Sequence, residues 1–250
     1  MNFQNIPRTN KDVKRAFVPK LDAFLFFDYK QIEPRFLAYF MDSIGDDGLA
    51  SKLRDGDDTY TAIISQYYGR EEITEEERQL GKRLFLSLMY GGGTPTVIKQ
   101  FGVDYPVAKR MTDQFHAAWP GIRKLQKMID NVYTSRGYIV TPWGRHLHPE
   151  FAHKRLNALI QGSAADLMRY ALLNVSEMLR DRTFDSHIVS VIHDEIVIDA
   201  TLEEIPFLVR DVPKMMDYAP VSSVVPILTD TEWSTTSWAD KVNYDGRYVD

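Results

Sequence analysis

Two apolar stretches far apart in the chain each stop at an acidic residue, and a long helical middle separates them. Residues 23–27 form a short continuous apolar run that ends at Asp28, and residues 187–200 read as two strands joined at His193-Asp194. Continuous apolar runs of this length suit strands buried on both faces. Strands that bracket a helical centre place the chain in the α+β class.

The helices announce themselves by their ends. Pro34 suits a first helical turn, because its missing N–H would have been unpaired there anyway. Residues 59–68 look helical and stop at Gly69. Thr74-Glu75-Glu76-Glu77 has the spacing of a capping box and predicts a helix running to about Tyr90, which Gly91-Gly92-Gly93 and Pro95 then end. Residues 107–118 and 122–136 carry helical periodicity on either side of Trp119-Pro120-Gly121. Residues 138–141 and the Trp143-Gly144-Arg145 turn predict a hairpin, and residues 156–180 a long amphipathic helix. The first 19 residues are polar and turn-rich, and there is neither an internal repeat nor a low-complexity segment.

A chain of 250 residues, 44% apolar and 26% charged, can bury a sizeable core as one large domain or two small ones. No apolar run is long enough to span a bilayer and the N-terminus does not read as a signal peptide, so no membrane partner is expected. The absence of cysteine excludes disulfides and thiolate zinc sites and fits a reducing cytoplasm. A net charge of −5 argues mildly against nucleic acid, whose phosphates need Lys and Arg. The acidic residues concentrate at 42–58, 71–77 and 230–250, however, which leaves room for a local basic groove.

Asp28 and Asp194 each sit at a strand edge, held by rigid backbone yet open on one side, as a hard divalent cation requires. Arg78, Lys82, Leu86 and Tyr90 are spaced by four and share a helical stripe. The guanidinium fork and the ammonium point charge match successive phosphates, and Tyr90 offers an aromatic surface beside a base. Two metal-binding carboxylates and a cationic helix are the equipment for nucleotidyl transfer. Each also has a plainer reading: an acid capping a turn, an acid ending a strand, a solvated face balancing Glu75, Glu76 and Glu77. Gly45-Asp46-Asp47-Gly48 has no flanking apolar strands and reads as an acidic loop; Gly91-Gly92-Gly93 lacks the Gly-Lys-Ser/Thr ending of a phosphate loop. Gly81 costs about 1 kcal/mol inside a helix, which points to close approach by another backbone or a ligand.

Together these segments resemble the family A (DNA polymerase I-like) DNA polymerases. Asp28-Tyr29-Lys30-Gln31-Ile32-Glu33-Pro34-Arg35 is similar to the family's motif A, Arg78 through Tyr90-Gly91 to motif B, and Val191-Ile192-His193-Asp194-Glu195 to motif C. Asn2-Phe3-Gln4-Asn5-Ile6-Pro7-Arg8 resembles the segment entering the palm, and residues 157–166 resemble the family's Asn-x-x-x-Gln-Gly-Thr/Ser-Ala-Ala-Asp helix. Order and spacing agree from Asn2 to about Trp238.

The resemblance implies roles by position. Asp28 and Asp194 hold two Mg²⁺ ions, with Mn²⁺ as a substitute, and the Tyr29 carbonyl completes one site. Glu195 supports the metal site, and Lys82 and Arg78 bind the incoming triphosphate. Glu33 is the steric gate against a ribose 2′-hydroxyl, packed near Tyr90, which borders the nascent base pair. Gln31 and Leu86 also belong to the nucleotide site. Asn157 and Gln161 probe the minor groove, where correct pairs present acceptors at similar positions. His193 contacts the primer terminus, and Arg8 contacts DNA near it. The chain departs from the family at four points. Leu86 stands where the family has an aromatic that touches the sugar, Tyr60 where it has His, and Lys30 where it has a small Ser. His153 stands where an Arg reaches DNA, with Lys154 and Arg155 as replacements.

The fold so implied is a polymerase palm with an antiparallel sheet (residues 1–58 and 137–250) plus helical fingers (59–136). Thumb and exonuclease domains are expected to be absent, because in the family they lie upstream of the segment at which this chain begins. The implied partners are primer-template DNA, dNTPs and a second polypeptide supplying a thumb or exonuclease; the implied setting is the cytoplasm of a bacterial host or a phage-infected cell. Two alternatives stay open: a polymerase-like subunit that binds DNA or a partner without turnover, and a single-subunit RNA polymerase-like enzyme.

Overall fold

The apolar run that follows Asp22 becomes the central strand of a five-stranded sheet. The structure, a computed structural model, describes residues 11–246; Arg8 and the segment 2–8 lie outside the described residues. From the start of the described chain come α1 (Lys11–Arg15), β1 (Ala23–Tyr29), α2 (Ile32–Asp42), α3 (Gly48–Arg54), α4 (Thr59–Tyr68) and α5 (Glu75–Met89). Then follow α6 (Thr94–Phe101), α7 (Tyr105–Ala118), α8 (Gly121–Arg136), the short strands β2 (Ile139–Val140) and β3 (His146–Leu147), and α9 (Arg155–Asp181). The chain continues through β4 (His187–Ile192), β5 (Glu195–Ala200), α10 (Ile205–Met215), α11 (Ala219–Ser222), β6 (Thr229–Ser234) and β7 (Val242–Asn243). Among the described residues, no helix is long and apolar enough to cross a membrane.

Two compact units emerge. One comprises Met1–Ile32, Ala164–Ser222 and Ile227–Asp250; the other comprises Glu33–Ser163 and Ser223–Pro226. The first unit contains the antiparallel sheet, in the order β4-β5-β1-β6-β7. The continuous apolar run is explained by its central place: Leu25 and Phe27 on one face of β1, with Ile196 and Ile198 of β5, have no exposed surface. On that face the Tyr29 hydroxyl donates to the Met216 carbonyl at 2.7 Å. The opposite face carries Phe24, Phe26 and Val197, clustered with Trp238 and flanked by Phe17 and Ile192. Asp28 ends this second face.

In the second unit, α4 and α5 pair closely. Asp58 caps α4 by accepting from the Tyr60 and Thr61 N–H groups, and Gly69 closes it at φ +69°. The capping box of Thr74 and Glu77 starts α5 as the sequence predicts. Phe85 of α5 sits edge-on to Tyr60, Phe115 and Trp119, with ring centroids 5.3–5.8 Å apart. Gly81 is where the two helices touch: a Cβ there would lie 2.1 Å from the Tyr60 carbonyl oxygen. Gly81→Ala is therefore expected to destabilise the fold by about 1–3 kcal/mol despite alanine's better helix propensity, read as a lower midpoint of thermal unfolding. An unchanged or raised midpoint contradicts this packing.

Candidate active site

The first unit carries two tight turns at one end of its central strands. Ile192 pairs with Glu195, so His193 and Asp194 form a two-residue hairpin loop. His193 takes a positive φ of 56°, a conformation for which glycine is the usual choice and which costs a side chain about 1–3 kcal/mol. The strained turn leaves His193 exposed and Asp194 half-buried. The Tyr29 N–H donates to the Asp194 carbonyl at 3.2 Å, which pins the hairpin tip against the end of β1. Asp28 and Asp194, 166 positions apart in sequence, are thereby brought to one end of neighbouring strands. Beyond Tyr29 the chain leaves the sheet through Gln31, again at positive φ (48°), while the Lys30 N–H donates to the Leu228 carbonyl at 2.8 Å. Burial, with Asp217 nearby, pushes the Tyr29 phenol well above its ordinary range, so the side chain stays neutral.

Asp28 has acidic neighbours on both flanks, Glu195 on β5 and Asp230 on β6. Glu195 is buried and accepts from the Lys241 ammonium at 2.7 Å; the same ammonium pairs with Glu232 and lies 5.0 Å over the Phe26 ring. Burial pulls the Lys241 pKa down, but Glu195 and Glu232 outweigh it, and the net shift is upward. Lys30 pairs with Asp230 at 2.5 Å. Among the described residues no group of three or more His, Cys, Asp or Glu could hold a metal ion. Two carboxylates beside a backbone carbonyl fit Mg²⁺, which uses few protein ligands and keeps positions for water and substrate phosphate; Mn²⁺ accepts the same hard oxygens.

In the second unit, the cationic stripe runs along α5. Arg78 donates to Asp58 through Nε at 2.9 Å and a terminal nitrogen at 2.6 Å, and lies 3.7 Å from Glu75. Arg78 and Lys82 both stand over the Tyr60 ring, 5.6 and 5.8 Å from its centroid. Tyr60, buried and aromatic where the family has His, thus forms a floor for the two cations. Leu86 follows, half-buried, and Tyr90 closes the helix. The Tyr90 hydroxyl donates to Glu33 Oε1 at 2.6 Å, and Gln161 Nε2 donates to the same oxygen at 3.3 Å. Burial first, then the Glu33 charge, pushes the Tyr90 phenol far above its ordinary range, so it remains a donor. One turn before Gln161 on α9, the buried Oδ1 of Asn157 has no hydrogen-bond partner in the protein.

The two proposed replacements for the missing Arg at His153 differ in placement. Arg155 pairs with Asp130 at 2.9 Å and stacks 4.1 Å over Tyr133, tying α9 to α8. Lys154 is exposed and lies 5.0 Å over the Phe151 ring. Asp58, Asp230, Glu232 and Lys241 were not legible as site residues. Asp58 showed only as part of an acidic stretch, and the Asp230/Glu232 alternation in Thr-Asp-Thr-Glu-Trp is the one signal that could have announced a strand with an acidic face.

The sequence model of DNA polymerase family A matches residues 1–240. DNA polymerase I of Geobacillus stearothermophilus is 30% identical over 96% of this chain and 29% of its own length, and the DNA polymerase of Mycobacterium phage D29 is 29% identical over 97% of this chain and 39% of its own. Among solved structures, the POL domain of Pol1 from M. smegmatis, in complex with DNA primer-template and dNTP, matches with a TM-score of 0.82 and 27% identity, over 95% of this chain and 44% of that one. The chain therefore spans about a third of the length of these curated relatives. The motif resemblance and the α+β architecture both hold. With the match extending over nearly every residue, this chain belongs to DNA polymerase family A.

Proposed function

We propose that the chain carries out template-directed DNA synthesis, adding dNTPs to a primer 3′-hydroxyl with release of pyrophosphate. The observation that carries this reading is the Tyr29–Asp194 backbone bond, which ties the β4–β5 hairpin tip to the end of β1; it supports reading Asp28 and Asp194 as two oxygen donors for divalent ions. The sheet unit acts as palm, and residues 59–136 act as fingers. Asp28 and Asp194 are the carboxylate ligands, and the Tyr29 carbonyl completes the set. Mg²⁺ held by these residues would supply charge to lower the pKa of the attacking hydroxyl and stabilise the leaving pyrophosphate. Lys82 and Arg78, aligned over Tyr60, take the triphosphate; Arg78 exchanges part of its pairing with Asp58 for phosphate oxygens. Glu33, held by Tyr90 and Gln161, excludes a 2′-hydroxyl. Asn157, one turn before Gln161 on α9, donates with Gln161 from its side-chain amide to minor-groove acceptors, His193 contacts the primer terminus, and Lys154 reaches DNA. Positioning and electrostatics provide most of the rate. The setting is the cytoplasm of a bacterial host or a phage-infected cell.

Primer extension in Mg²⁺ with dNTPs or with NTPs tests the proposal. Extension with dNTPs alone is expected. Extension only when a thumb-bearing second polypeptide is added supports a split form of the same enzyme. Equal use of NTPs favours the RNA polymerase-like alternative, and no extension under any condition leaves a binding role.

Leu86 offers a sugar-level test. It has no π-face where the family's aromatic meets the nucleotide sugar, so poor use of dideoxynucleotides is expected. Leu86→Tyr should raise their incorporation relative to dNTPs by roughly 10- to 100-fold, measured by competitive chain termination. A variant no better than the parent counts against Leu86 facing the sugar.

A further inference from the structure

Asp28 shares its face of the sheet with three other carboxylates. Register puts Glu195 and Asp230 directly beside it, with Glu232 next along β6 opposite Phe26. Directly opposed residues on antiparallel neighbours have Cβ atoms about 5 Å apart, and like charges at that spacing repel. Glu195 lies directly opposite Asp28 and follows Asp194 in sequence. Its side chain is only 11% exposed, and one oxygen is taken by Lys241 at 2.7 Å. Lys241 is in turn fixed on three sides, by Glu195, by Glu232 and by the Phe26 ring. Lys30 serves Asp230 in the same way, but that pair is about half exposed, and such surface pairs are worth little. The Lys241 clasp is the more enclosed one, with the lysine side chain 26% exposed.

We propose that Lys241 is a positioning residue that clamps Glu195 beside the metal-binding pair and keeps its carboxylate out of the ligand set. Asp28 and Asp194 are then the only carboxylate ligands among the described residues. This inference rests on the polymerase reading of those two residues. A third carboxylate would turn an open Mg²⁺ site, which must leave positions for substrate phosphate, into a fuller cage that holds metal more tightly and triphosphate less well.

The test is Mn²⁺ binding to the full chain without DNA or nucleotide, followed by electron paramagnetic resonance of free Mn²⁺, with circular dichroism to confirm folding. Asp28→Asn should weaken binding by about tenfold or more; if it does not, the reading of Asp28 fails, and the clamp falls with it for that separate reason. Where Asp28→Asn behaves as stated, Lys241→Met should tighten Mn²⁺ binding roughly fivefold, because Glu195 is released to reach the metal. Adding Glu195→Gln to Lys241→Met should restore the parental affinity, and Lys241→Arg should keep it. Lys241→Gln, polar and similar in length, should tighten binding in the same direction, and this arm decides the matter should Lys241→Met not fold. Unchanged or weaker binding in a folded Lys241→Met or Lys241→Gln overturns the clamp.

Discussion

Asp28→Asn is expected to lower the rate of nucleotide incorporation by about 10³-fold while the fold stays intact. Asparagine has nearly the same shape, and the backbone pairing of Asp28 with Glu195 and Asp230 does not depend on the side-chain charge. Removing one negative charge from between Glu195 and Asp230 relieves repulsion, so the thermal midpoint should hold or rise slightly. What is lost is a hard anionic oxygen, and a neutral amide does not replace it at a divalent ion. The same argument applies to Asp194→Asn, and the double variant should be little slower than either single one, because the two carboxylates act as a unit. Single-turnover primer extension with thermal unfolding checks all three. Rates within tenfold of the parent would show that Asp28 merely ends a strand.

Glu33→Ala is expected to relax discrimination against ribonucleotides by roughly 100-fold. Glu33 is well placed for this because its position is over-determined: Tyr90 and Gln161 both donate to its Oε1. A carboxylate held by two donors keeps its place against an incoming sugar, whereas alanine leaves an open space. The substitution has a structural cost as well. Tyr90 is largely buried, and its hydroxyl loses the acceptor, which should destabilise the protein by about 1–3 kcal/mol. Tyr90→Phe separates the two effects. It frees Glu33 without removing it, so selectivity should fall less than in Glu33→Ala. The measurement is the ratio of kcat/KM for dNTP and NTP; a ratio unchanged in Glu33→Ala contradicts the gate.

Elements with local start and stop signals were readable from sequence. α4, α5, α7 and α8 emerge within two residues of their predicted bounds, since Asp58, Thr74, Gly69 and Gly137 all act on their own neighbourhood. The helix predicted from Pro34 instead begins at Ile32, because the chain turns at Gln31 before the proline is reached. α6 was missed because Gly91-Gly92-Gly93 and Pro95 read as a stop. In the structure Pro95 sits in the first turn of a new helix, where it is equally welcome. α3 was hidden in an acidic stretch, and its only helical signal is the burial of Leu49, Ala50 and Leu53.

The candidate site divides along the same line. Asp28 and Asp194 were legible because each ends an apolar strand, and Arg78 and Lys82 because four-residue spacing aligns them on a helix. Their partners were not legible. Arg78 meets Asp58 across 20 positions and Lys241 meets Glu195 across 46, and no local pattern encodes such pairings. Gly81 lies between these cases: its cost within a helix signalled a close approach, and the Tyr60 backbone supplies it.

The most direct measurement is a primer-extension time course in Mg²⁺ with the parent chain and Asp194→Ala side by side. The parent should add the dNTP complementary to each template base, and Asp194→Ala, folded and still able to bind primer-template, should add none. A parent that binds primer-template without extending it, or an Asp194→Ala variant that extends at the parental rate, contradicts the polymerase reading.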